Sequence, residues 1–60
     1  MTLIDKVRYC LDNRKKLKAG DIVIIRGLYR YYVKVGNYDD LPRRDTDAAE
    51  SIYKRLTEKP

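Results

Sequence analysis

A sixty-residue chain with a single cysteine, Cys10, and no histidine must fold without either of the supports on which very small domains commonly lean. A lone thiol closes no disulfide within the chain. With no imidazole beside it, a lone cysteine also falls short of the nitrogen and sulfur set that holds structural zinc. Chains of this size hide only roughly 60 % of the surface that their unfolded form exposes, so residues 1–60 form one domain with a marginal core. Self-association is the support that remains. A homo-oligomer is therefore expected, most simply a homodimer, with no metal and no other cofactor.

The residue pattern predicts helix, β-hairpin, helix. Leu3, Ile4, Val7, Cys10 and Leu11 recur at spacings of three and four, with Leu17 beyond them, which predicts a helix from Thr2 to Lys18. Thr2 suits its N-cap and Asp5 its first turn. Arg14, Lys15, Lys16 and Lys18 would then crowd its last turn, with Gly20 as the left-handed stop. Ile22-Val23-Ile24-Ile25 is a β-branched run, and Tyr29 to Val35 follows after Arg26-Gly27-Leu28. With Arg26-Gly27 as the tight turn, Ile22, Ile24, Tyr29, Tyr31, Val33 and Val35 share the inner face of a hairpin. Val23, Ile25, Leu28, Arg30, Tyr32 and Lys34 fall on the outer face.

Gly36 to Asp45 reads as a loop anchored by Tyr38 and Leu41, with room for a short third strand around Tyr38. Asp45 or Thr46 then caps a second helix with the stripe Ala48, Ala49, Ile52, Tyr53 and Leu56, and 57–60 reads as a frayed tail. The expected fold class is α+β, two helices packed on one face of a small antiparallel sheet. Cys10 is read as buried filler. Tyr9, Tyr29, Tyr31 and Tyr53 are read as core residues with their hydroxyls at the rim.

Without histidine, the commonest general acid or base is missing. Asp39-Asp40, the only adjacent carboxylate pair, falls in the loop as a solvated turn. No phosphate-binding glycine loop, nucleophile elbow or zinc-ligand spacing is present, so no catalytic residue is assigned and an enzyme is not expected.

Fourteen Lys and Arg against nine Asp and Glu leave a net charge of +5, which points to an anionic partner. Arg26, Arg30, Tyr32 and Lys34 on the hairpin, with Arg14, Lys15, Lys16 and Lys18 at the end of the first helix, combine phosphate-binding cations with an aromatic face for stacking. Arg43-Arg44 precede the second helix, whose free amide groups also favour phosphate. Val23, Ile25, Leu28 and Tyr32 form the expected dimer patch. The first reading is a small basic nucleic-acid-binding protein. The alternative is a small phage-type inhibitor or adaptor that acts as a homodimer on an acidic host protein. No apolar stretch is long enough for a signal peptide or a membrane span, so no membrane contact and a cytoplasmic location are expected.

Tyr31 to Tyr38, followed by Asp47-Ala48-Ala49-Glu50 and Tyr53-Lys54-Arg55-Leu56, resembles the strand, Gly-x-aromatic turn and Ala-rich helix of two families. One is the sporulation-related repeat, which implies peptidoglycan binding. The other is the three-stranded DNA-binding domain of plant ethylene-response factors and of some phage integrase arms. Leu17 to Val23 is similar to the opening strand of small SH3-like barrels. The sporulation-related repeat needs a second strand-helix-strand half, the integrase-like domain three clear strands, and the barrel more strands than the chain holds. The chain is assigned to none of them.

Overall fold

Thr2 and Asp5 start the first helix with a reciprocal pair of hydrogen bonds. The Asp5 N–H donates to Thr2 Oγ1 (3.4 Å) and the Thr2 N–H donates to Asp5 Oδ2 (3.2 Å), so two otherwise unpaired donors are satisfied. The Thr2 side chain first, and then the Thr2 N–H bonded to the ionised carboxylate, hold the Asp5 carboxyl below its ordinary range. The computed structural model describes residues 2–58, and every regular element among them is helical: α1 (Leu3–Asp12), a single 3-10 turn (Arg14–Lys16), α2 (Ala19–Val35) and α3 (Arg43–Thr57). The expected α+β fold is overturned. No strand occurs among the described residues.

The first helix ends at Asp12, not Lys18. The Asn13 side-chain amide donates to the Tyr9 carbonyl (2.9 Å) and the Arg14 guanidinium donates to the Leu11 carbonyl (3.0 Å), so local bonds terminate α1. Arg14, Lys15 and Lys16 form the 3-10 turn, and Lys18 is the N-cap of α2 in extended conformation.

The largest correction is the hairpin, because Ile22 to Val35 lies within one continuous helix. β-branched residues and even Gly27 cost a helix at most about 1 kcal/mol each by intrinsic propensity, less than burial of a suitable stripe contributes. Helical spacing turns Asp21, Ile22, Ile25, Leu28, Tyr29 and Tyr32 to one side, where Ile25 and Leu28 are buried. Ile24, Val33 and Val35, expected inside, are exposed. Gly20 sits in the first turn of α2 and stops nothing. The glycine that ends a helix is Gly36, at φ 94°, whose N–H donates to the Tyr32 carbonyl (2.7 Å).

The loop after Gly36 contains no third strand, but Tyr38 and Leu41 do pack on the core. The Tyr38 hydroxyl donates to the Leu28 carbonyl (2.7 Å), and its ring lies 6.2 Å from that of Tyr31 and 5.2 Å from that of Tyr32. Burial, with a smaller contribution from Tyr32, pushes the Tyr38 phenol up to about 12. Leu41 precedes Pro42, which disfavours helix at Leu41 and lets α3 begin at Arg43, earlier than Asp45 or Thr46. Thr57 belongs to α3 and Glu58 caps it, so the expected fraying does not begin at Thr57; the rest of that tail, 59–60, lies outside the described residues.

One core joins the three helices: Val7 and Cys10 from α1, Ile25 and Leu28 from α2, Ala49 and Ile52 from α3. α1 packs against both of its neighbours, which touch one another less. Cys10 is buried filler, as expected, and burial followed by the charge of Asp21 pushes its thiol up. Tyr9 keeps an edge-to-face contact with Tyr53 at 5.5 Å but remains 40 % exposed.

Candidate nucleic-acid interface

α1 and α2 run side by side, joined by the short basic turn, and leave an open furrow between them. Its wider part has a volume of about 740 Å³ and is lined by Arg8, Leu11, Asp12, Arg14, Arg26 and Tyr29. A second concavity of about 380 Å³ shares Arg8 and Tyr29 with the first and continues along Ile4, Tyr32, Val33 and Gly36. One end is therefore cationic, the other apolar and aromatic. Tyr29 belongs to both.

Helix geometry extends the cationic end. Arg26, Arg30 and Lys34 are spaced by four residues, which sets them in a row along exposed α2 with about 6 Å of rise between neighbours. The Arg14 bond to the Leu11 carbonyl steadies one wall of the furrow.

Ion pairing divides the molecule sharply. Among the described residues every ion pair involves α3: Lys6–Glu50 at 3.0 Å, Arg55–Asp21 at 3.5 Å, Arg43–Asp47 at 3.7 Å, and Arg44–Asp45 and Lys54–Glu58 at 3.9 Å. With the described residues, Arg8, Arg14, Lys15, Lys16, Lys18, Arg26, Arg30 and Lys34 make none. All eight belong to α1, the turn or α2 and its cap. Asp12 is the one carboxylate in the furrow lining.

The sequence-predicted residues are thus partly regrouped. Arg14 and Arg26 line the furrow together, with Arg30 and Lys34 continuing from Arg26 along α2. Lys16 and Lys18 line a different concavity with Asp21, Ile52 and Arg55, and Lys15 is exposed on the turn. Arg43 and Arg44 open α3 beside carboxylates and belong to neither concavity. Tyr32, expected on an outer face, is half-buried against Tyr38. Of the expected dimer patch, Ile25 and Leu28 are core residues; only Val23 is fully outward, at 70 % exposure.

Arg8 was not singled out by the sequence reading. Its signal is Ile4-Arg8-Leu11 at helical spacing, which places a cation at the border of the apolar stripe. Among the described residues no cluster of three potential metal ligands occurs, and no helix is long and apolar enough to cross a membrane. In comparisons with protein families, curated proteins and solved structures, nothing matches this chain.

Proposed function

We propose that this chain is a small, non-catalytic nucleic-acid-binding protein that works in the cytoplasm and whose contact surface is the furrow between α1 and α2. The observation that carries the reading is the concentration of unpaired cations there. Arg8, Arg14 and Arg26 surround Tyr29 in one concavity, while the carboxylates that engage cations do so with α3. Guanidinium groups fit phosphate oxygens in pairs of parallel hydrogen bonds, and a tyrosine among them offers a ring on which a base stacks. Arg30 and Lys34 lengthen the track for a phosphate backbone.

Titration of fluorescent duplex and single-stranded oligonucleotides across a salt series tests this. Four or five phosphate contacts on duplex DNA give a slope of log K against log salt near −4, from roughly −0.9 per phosphate. Failure to bind either probe at about 50 mM salt, where such contacts are strongest, would exclude the reading.

A second reading is favoured by Val33, 68 % exposed beside the same cations, because a mixed apolar and cationic surface also suits an acidic protein. The chain would then be a small phage-type inhibitor or adaptor acting on a host protein. Retention of a partner after nuclease treatment favours it; loss of everything retained favours nucleic acid.

A further inference from the structure

A helix that ends its packing at one core carries polar residues on its far side, and a helix apolar all round is covered all round. Away from its core stripe α2 carries Arg26, Arg30 and Lys34, but it carries apolar residues there as well. Val23, Ile24 and Val35 are 70 %, 42 % and 44 % exposed, and Gly20 and Gly27 share that side. The molecule also exposes more surface than its mass requires. A folded monomer of 7.1 kDa exposes about 4,100 Å² by the usual scaling, whereas this one exposes 4681 Å² over an elongated body of 34 × 19 × 17 Å. The surplus of about 580 Å² is of the order that each partner buries in a small interface, where roughly 800 Å² is ordinary.

We propose that the far side of α2 is the interface of a two-fold homodimer, in which α2 packs antiparallel against α2 of a second copy. Gly20, Ile24, Gly27, Tyr31 and Val35 fall on one line at spacings of four, three, four and four, and none is charged. Gly27, Arg30, Tyr31 and Lys34, spaced i, i+3, i+4 and i+7, edge a concavity of about 490 Å³ that also reaches Tyr29 and Val33. That spacing is the four-residue hole into which a knob from a facing helix inserts.

With the two-fold axis between Gly27 and Leu28, Ile24 of the second copy stands over this hole. The same register sets Gly20 opposite Val35 and Ile24 opposite Tyr31, with the Gly27 residues of the two copies flanking the axis. Nothing lies within 4 Å of where a Cβ would stand at Gly20 or Gly27, so a neighbouring helix has room to approach closely. Along the seam line itself a second copy, despite its net charge of +5, meets no like charge, because the cations stand beside that line. Arg30 and Lys34 edge the hole through their aliphatic stems and keep their charged ends in water. One surface patch then covers itself, as a closed two-fold contact requires.

Sedimentation equilibrium of the full chain tests this, after nuclease treatment and at about 0.5 M salt, where nucleic-acid bridging is suppressed. A mass near 14 kDa, twice the 7.1 kDa of the chain, is expected at micromolar concentration. Gly27→Lys separates the interface from a solvent face. It replaces glycine by a better helix former, so the monomer should melt higher, while the new side chain fills the hole and weakens the dimer by about tenfold or more, as obstruction at an interface centre does. Ile24→Glu should give a folded monomer. The proposal is overturned by a wild-type chain that stays at 7.1 kDa up to millimolar concentration, by a mass that keeps growing beyond two copies, or by a dimer that neither substitution weakens.

Discussion

α3 and α2 pack against the same short helix, α1, yet one is completed by the fold and the other is not. α3 buries Ala49 and Ile52, flanks them with Tyr53 and Leu56, and places its cations beside carboxylates. α2 buries Ile25 and Leu28 but leaves Val23, Ile24, Val33 and Val35 in water, and none of Arg26, Arg30 and Lys34 is ion-paired with a described residue. Surface that folding leaves uncovered and charge that it leaves uncompensated are where binding free energy remains available. In this molecule both lie on α2 and on the furrow it shares with α1.

The largest effects should come from the helices' common core. Ile25→Ala and Ile52→Ala each remove a fully buried side chain and should cost about 2–5 kcal/mol. A domain of this length has only a few kcal/mol in total, so urea unfolding followed by circular dichroism should find both variants largely unfolded. Val33→Ala, on the exposed flank of α2, should stay within about 0.5 kcal/mol of wild type. Comparable losses at Ile25 and Val33 would break the assignment of the inner stripe of α2.

Next is the loop that ties α2 to α3. Tyr38→Phe removes the hydroxyl that bonds the Leu28 carbonyl and should cost about 1 kcal/mol. The same phenol makes stability depend on alkaline pH. Its pKa is raised in the folded state, to about 12, so the folded protein holds the proton longer than the unfolded chain. The contribution is complete below the ordinary tyrosine value of about 10 and is lost as pH rises from there towards 12. Melting curves of wild type and Tyr38→Phe should therefore converge over that window; parallel curves would show that the phenol is not protected.

The charges sharpen the contrast at smaller scale. Glu50→Gln breaks the contact with Lys6 that links α1 to α3 and should cost less than about 1 kcal/mol, with the difference fading in salt. Arg26→Ala with Arg30→Ala should change stability least, within about 0.5 kcal/mol, since both side chains are exposed and without ion pairs. Oligonucleotide titrations of that pair should nonetheless give a salt slope shallower by about two units, one per lost phosphate contact. An unchanged slope would move the interface away from α2.

By itself the sequence determined the two ends of the molecule, because their signals are local. The Thr2–Asp5 cap, the α1 stripe of Val7 and Cys10, the α3 stripe of Ala49 and Ile52, and the anchoring of Tyr38 and Leu41 all rest on nearest-neighbour spacing. It also carried the surplus of Lys and Arg and singled out Arg14, Arg26, Arg30 and Lys34. The middle was not legible in the same way. Ile22 to Ile25 is a short apolar run that fits a strand as well as a helix, and Arg26-Gly27 fits a tight turn as well as an exposed helical position. Only packing against α1 and α3 decides between them. A strand would turn Ile24 and Val33 inward, whereas the helix turns Ile25, Leu28 and Tyr32 to that side, with Ile25 and Leu28 buried in the common core. That choice also created the furrow, because Arg8 and Arg26 approach each other only once α2 is a helix laid alongside α1. Such contacts between residues far apart in the chain depend on which faces the elements bury, and no local pattern records that.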